Sequence, residues 1–462
     1  MAEDRVERDA LGEVRVPAGV RWGAETQRAV DNFRVSGRRM PRRFLAALGM
    51  VKQAAAETNV ELGLLDAERG GAIARAAEEM IAGSLDAEFP VDVFQTGSGT
   101  STHMNANEVL AARANELLGS RVAAPRIDAH DHVNLGQSSN DTIPTALHVA
   151  AAVALETELL PALHGLHEAL SKKAVEFDPV VKSGRTHLQD AAPVRLGQEF
   201  SGYARQVELG VRRLAAGRDE LLELALGGTA VGTGLNAHPE FAGRAIARLA
   251  RRTGLGFREA ANHFEAQGSM DRVVAASGAS RAVAVALFKI ANDIRWLGSG
   301  PAGGLGEVAI PAVQPGSSIM PGKVNAVLCE SLLMVCCQVV GNDAAIALGG
   351  LSGNFELNTF LPLLATNFLD SIDLLTGAVR GFETRCVRGL AANAEHCRSV
   401  LERNSMLVTA LAPKIGHARA AAIALEAARS GRTVREVAHG VLPDRELDAL
   451  LDARRMTEPG SP

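Results

Sequence analysis

Aromatic residues are scarce in this chain: 14 Phe, two Trp and one Tyr make up 4% of 462 residues. Sheets draw on aromatic and β-branched side chains, so this shortage, set beside abundant Ala, Leu, Glu and Arg, weighs toward helix. Cysteine is also sparse. Cys329, Cys336, Cys337, Cys386 and Cys397 are odd in number, lack paired CxxC spacing and have no metal-ligand histidines beside them, so they read as reduced structural thiols and no metal is expected. The formal charge is −5, with Lys and Arg scattered rather than clustered, which argues against nucleic acid as a partner. The opening residues MAEDRVERDALGEVRVP have no apolar run of the signal-peptide kind, and a cytoplasmic location is expected. The most apolar stretch, residues 331–350, carries Gln338, Asn342 and Asp343, costly in lipid, so it reads as a buried core helix and no membrane partner is expected. Fixed-period repeats and low-complexity linkers are absent.

What is present is apolar residues at helical spacing over long distances. Residues 142–177, 196–226, 275–297 and 324–347 form such segments, 47% of the chain is hydrophobic, and an all-α bundle of long helices follows. After residue 393 the chain becomes more charged and its periods shorten, the pattern of a small C-terminal domain of short helices. Between the long segments lie four polar, glycine-rich joints: 95–101 (QTGSGTS), 134–141 (NLGQSSND), 183–190 (SGRTHLQD) and 314–325 (QPGSSIMPGKVN). Joints at the ends of rigid helices are where binding groups concentrate.

Ser98, Thr100, Ser138, Ser139, Asn140, Thr186, Ser317, Ser318 and Asn325 supply neutral hydrogen-bond donors, with little negative charge among them. Lys323 adds a fixed cation, and backbone N–H groups freed by glycine complete an inventory suited to a small anion. For any joint taken alone, helix capping and turn formation are the favoured account of the same residues. If a helix begins near Lys323, Glu330 lies seven positions on and shares its face. A carboxylate turned inward in VLCESLLMV needs a partner. His187 is the candidate, since a His–Glu pair fixes the tautomer and raises the basicity that water chemistry needs, although such pairs also serve plain structural networks.

At this point the residues resemble the class II fumarases of the aspartase/fumarase superfamily. The resemblance rests on GSSIMPGKVN at 316–325, TGSGTS at 96–101, QSSND at 137–141, GRTHLQDA at 184–191 and GGTAVGTGLN at 227–236, in the family's order and separations. It extends from WGAETQRAVDNF through SGNFELN to NSMLVTAL, nearly the whole chain. Gly322 in PGK, and His187 where aspartases tend to have Gln, favour the fumarase branch.

The resemblance implies a three-domain fold, with an N-terminal helical domain at 1–139, a central long-helix domain at 140–395 and a small helical domain at 396–462. It also implies a homotetramer whose active sites are shared between subunits. The implied substrate is a small dicarboxylate, L-malate or fumarate, handled without metal or organic cofactor. Ser317 would take the C3 proton, while Lys323, Asn325 and loop N–H groups would stabilise the aci-carboxylate. His187 with Glu330 would act on the departing or attacking water. Ser98, Gly99, Thr100, Ser138, Ser139, Asn140, Thr186, Ser318 and Val324 would hold the carboxylates with Lys323 and Asn325.

Some positions depart from the family. His103 stands where Asn is usual, Ala326 where Pro is usual, and Ala302 with Gly303 where Arg-Cys is usual. A second anion site in many fumarases uses VHPND, whereas residues 127–131 here read IDAHD. An acid at Asp128 repels a dicarboxylate, so the site formed by Asp128, Ala129, His130 and Asp131 is expected to be altered or absent. These departures leave two alternatives: a relative that eliminates ammonia or another group from a substituted succinate, and a silent structural protein on the same scaffold.

Overall fold

The computed structural model describes residues 4–119 and 126–460. Among them, five helical runs span 24 residues or more: Ser139–Glu176, Leu196–Glu220, Asp271–Leu297, Val327–Gly350 and Leu361–Arg385. All four periodic segments read from sequence start within about four residues of these helices. The fourth begins later than expected, at Val327, so Lys323 stands outside the helix that carries Glu330. The Leu361–Arg385 helix had no counterpart among those segments. The first run is continuous through a π-helical turn at Leu155–Leu159.

Strands are confined to two-stranded pairings, so the architecture of the described residues is all-α. Contacts gather the chain into two units. The first comprises Met1–Pro161, Arg212–Ala284 and Cys337–Thr376. In it the Arg42–Glu61 helix packs against Ala67–Ala82, Ser139–Ala154 and Phe241–Thr253. Phe44, Leu48, Val51 and Ala55 from this helix are buried, as are Ile73 and Met80 from Ala67–Ala82. Close approach depends on small residues: a Cβ at Gly70 would meet Val60 Cγ2 at 2.1 Å.

The second unit comprises Ala162–Val211, Val285–Cys336 and Gly377–Pro462. Here the 183–190 joint, read as a loop, is the closed end of an antiparallel hairpin, Val181–Thr186 paired with Gln189–Arg195. Its register shifts between Ser183 and Arg185, at Gly184, where a Cβ would meet the Ala192 carbonyl at 2.6 Å. Phe177, Phe200 and the single tyrosine, Tyr203, stack edge to face at 5.0 and 5.4 Å. The short C-terminal helices close around their own core of Leu401, Leu411, Ile423, Val434 and Leu450.

Residues 331–350 differ from the expected buried core helix. Only 44% of the most apolar window of Val327–Gly350 is buried, the same share as in Asp271–Leu297, against 72% for Ser139–Glu176. Met334 and Leu348 are 68% and 66% exposed.

Candidate active site

Two helix N-termini come together in the first unit. Gly99, buried and at φ +73°, turns the chain into the Thr100–Leu118 helix, and Ser138 caps the Ser139–Ala154 helix. First-turn N–H groups have no partner inside their own helix, so each end presents donors toward an anion. The hydroxyls join the two ends: Ser98 Oγ lies 2.8 Å from Thr100 Oγ1, which lies 2.7 Å from Ser139 Oγ. Asn140 Nδ2 donates to the Ala230 carbonyl at 2.8 Å, tying in the 227–236 segment.

The acid of this joint is already engaged. Asp141, fully buried, accepts from the N–H groups of Ser138 (2.9 Å), Gly227 (3.0 Å) and Thr229 (3.0 Å), and from the Thr142 hydroxyl (3.2 Å). Burial pushes its carboxyl upward, against the pull of those N–H bonds. Asp141 was missing from the sequence reading, yet the Ser-x-x-Asp capping box spanning Ser138 to Asp141 is its signature. Lys52 was missed as well: it is a cation in the apolar middle of its helix, fully buried, with its Nζ 2.9 Å from Gln137 Oε1. Burial brings its ammonium down to about 7. His103, one of the departures, is also buried and lies 3.4 Å from Lys52 Nζ.

In the second unit, His187 and Leu188 form the hairpin turn with φ of 55° and 61°, a left-handed pair that two-residue hairpins favour and non-glycine residues resist. Thr186 and His187 are exposed. The strand leading to them is held from inside: Lys182 Nζ lies 2.8 Å from Glu199 Oε1 and 3.1 Å from Glu307 Oε2, and Arg185 Nη2 donates to Glu307 Oε1 at 2.7 Å. Burial raises the Glu199 carboxyl above its ordinary range, with Lys182 opposing.

The 314–325 joint closes on itself. Gly316 N–H donates to the Lys323 carbonyl at 2.8 Å, and Asn325 Nδ2 to the Gly316 carbonyl at 2.7 Å. A Cβ at Gly316 would lie 2.6 Å from that Lys323 oxygen. Gly322 takes φ +78°, the conformation that explains Gly rather than Ala between Pro321 and Lys323. Ser317 Oγ accepts from the N–H groups of Ile319 (3.2 Å) and Met320 (3.0 Å). Ser318, Lys323 and Val324 are exposed, and Asn325 is half-buried.

Glu330 is exposed rather than turned inward, and among the described residues the side chain of neither it nor His187 forms a hydrogen bond or ion pair. The two are therefore not paired within one chain. Ala326 lies just outside its helix, accepting from Glu330 N–H at 3.1 Å, so Ala in place of Pro removes nothing from the helical ladder. Ala302 and Gly303 are exposed in a turn closed by Gly306 N–H to the Ser299 carbonyl at 2.9 Å.

A cleft of about 1290 Å³ lies elsewhere: Arg5, Arg8, Glu108, Arg126, Asp128 and His130 are among the residues lining it. Its charges pair with one another, as in Arg5–Glu7 at 2.8 Å and Arg69–Asp66 at 3.1 Å, and His130 Nε2 lies 2.8 Å from Glu25 Oε1. Asp128 caps the turn at Ala129–Val133, accepting from His130 N–H (2.7 Å) and Asp131 N–H (2.9 Å). Partial burial works to raise its carboxyl, and those N–H bonds outweigh it, so the group stays below the ordinary carboxylate range. Asp128 is thus a negative group spent on its own backbone.

Residues 12–341 match the family described as Lyase, and residues 407–458 match the one described as Fumarase C C-terminus. The chain is 54% identical over 459 residues to fumarate hydratase class II 2 of Bradyrhizobium diazoefficiens, covering 99% of this chain and 97% of that one. It is 53% identical over 464 residues to fumarate hydratase class II of Mycobacterium tuberculosis, with 99% and 97% covered. A crystal structure of class II fumarase from Schistosoma mansoni superposes with a TM-score of 0.95 at 40% identity, covering 99% of this chain and 100% of that chain.

Proposed function

The chain belongs to the class II fumarase family, and we propose from that premise that it is a hydro-lyase interconverting L-malate with fumarate and water. Identities of 53–54% to named fumarate hydratases over essentially the full length favour this over the ammonia-eliminating and silent alternatives. The observation that carries the chemistry is Ser317. A serine is a weak base at its free pKa, and two backbone N–H groups on Oγ stabilise its alkoxide. In this reading Ser317 takes the C3 proton, and Lys323, Asn325 and loop N–H groups stabilise the dianionic aci-carboxylate. The hydroxyls of Ser98, Thr100, Ser138, Ser139 and Thr186, with Asn140, hold the carboxylates. His187, oriented by Glu330, moves the proton of the water on the other face.

His187 and Glu330 stand unpaired in one chain, which supports completion of the site by further copies in a homotetramer. The half-exposed apolar helices Asp271–Leu297 and Val327–Gly350 offer the surface for it. The division into segments 1–139, 140–395 and 396–462 belongs to the same reading, and the separate C-terminal core supports it. So does a cytoplasmic location, supported by five free cysteines. The test is fumarate absorbance followed with purified protein. Turnover is expected with the wild type, and Ser317→Ala should lower kcat by about 10²- to 10⁴-fold, the usual range for a positioned acid or base. Unchanged turnover in the variant would remove Ser317 from the mechanism; none in the wild type would remove the hydratase reading.

A further inference from the structure

Buried Lys52, His103 and Gln137 form a polar ring with half-buried Asn134 beside the turn that presents Ser138, Ser139 and Asn140. Lys52 Nζ donates to Gln137 Oε1 at 2.9 Å and lies 3.4 Å from His103 Nε2. His103 Nε2 is 2.6 Å from Asn134 Oδ1, and Asn134 Nδ2 donates to the Gln137 carbonyl at 3.3 Å. Gln137 directly precedes Ser138. An amide oxygen only accepts, so His103 Nε2 carries the proton, and Nδ1, which has no partner, is a bare lone pair. His103 then offers nothing to an ammonium, whose three N–H groups would find, among the described residues, only Gln137 Oε1.

The surrounding charges do little to change this. From the Ser139–Ala154 helix, Asp141 attracts Lys52, but its oxygens are filled by backbone N–H groups; His148 is bound to the Glu223 carbonyl at 2.9 Å. The Ala67–Ala82 helix brings Glu78 and Glu79, paired with Arg252 and Arg113. The Phe241–Thr253 helix brings Arg244 and Arg248, paired with Glu61 and Glu57. From the 129–133 turn come His130, which repels a proton on His103, with Asp131 and His132. Burial therefore dominates, and the amine loses its proton near 7.

We propose that Lys52 is a positioning residue for the dicarboxylate, holding the Gln137–Asn140 turn and taking one proton from solvent when the dianion binds there, so that amine becomes ammonium as the site fills. The inference rests on reading these joints as the carboxylate site. Negative charge arriving beside a desolvated amine raises its proton affinity, and by linkage the proton strengthens dianion binding equally. His103 supports the coupling by denying the ammonium an acceptor in the empty site.

The full-length protein in its solution assembly would be titrated calorimetrically with succinate, which has both carboxylates and no leaving group, in buffers of different ionisation heat. Above about pH 7 the wild type should take up a proton on binding, and affinity should weaken toward about tenfold per pH unit. Lys52→Met should bind with less proton uptake and a flatter profile. His103→Asn, whose amide can still reach Asn134, should move the bend in the profile to higher pH. Equal uptake in wild type and Lys52→Met, or an unmoved bend in His103→Asn, would overturn the inference, and the second result decides if Lys52→Met fails to fold. Fumarate turnover measured in parallel separates the claims: turnover without Lys52-dependent uptake defeats the inference alone, whereas neither turnover nor succinate binding defeats the functional reading as well.

Discussion

Glu307, 1% exposed, receives Lys182 and Arg185 from the strand that runs into Thr186 and His187. Removing one member of a buried ion network leaves its partners uncompensated. Glu307→Ala should therefore cost about 3–5 kcal/mol, read as a lowered denaturation midpoint. At Lys52 the effect depends on pH. The unfolded chain keeps this proton to about 10.5 and the folded chain only to about 7. Between those values the unfolded state binds more protons, so stability rises with pH. Lys52→Met should abolish that rise, and thermal melts across the window should show the wild type gaining on the variant as pH climbs.

At the scale of elements, the joints work because helix ends are fixed by close backbone contacts. The Gly97 carbonyl accepts from Leu361 N–H at 2.9 Å, and a Cβ on Gly97 would fall 1.7 Å from the Thr359 carbonyl oxygen. A backbone oxygen cannot swing aside as a side chain can, so Gly97→Ala must separate the QTGSGTS turn from the start of the Leu361–Arg385 helix. The expected cost is about 2–3 kcal/mol, and the displaced Ser98 and Thr100 should raise KM for fumarate in steady-state assays. The 227–236 segment is bound in the same way to the Ser138 turn, through Asp141. Its string GGTAVGTGLN was readable, whereas the carboxylate that reaches it from 86 positions away was not.

For the whole molecule, the decisive feature is the apolar surface left open on two long helices. Val285, Met334 and Leu348 are 59%, 68% and 66% exposed, and surface of this kind marks association. In the proposed tetramer, Met334→Glu places a charge in that interface. Light scattering on eluting protein should show a smaller species, and fumarate turnover should fall with assembly, because His187 and Glu330 then lack partners from other copies. A monomer of full activity would sink the shared-site proposal.

By itself the sequence determined the helical character, the positions of most of the long helices and the four polar joints, because helix periodicity and glycine-rich turns are local properties. It also placed Ser317 and Lys323 in one loop, since ten consecutive residues make that loop. Only the tertiary structure decided that residues 181–195 pair as a hairpin and that the helix carrying Glu330 starts at Val327. The same holds for Glu330 facing outward, and for Lys52 and His103 sharing a buried ring. Each of these depends on what another part of the chain, or open solvent, places against the residue: Gln137 lies 85 positions from Lys52. Local spacing carries no information about such a partner, because burial is a property of the folded whole.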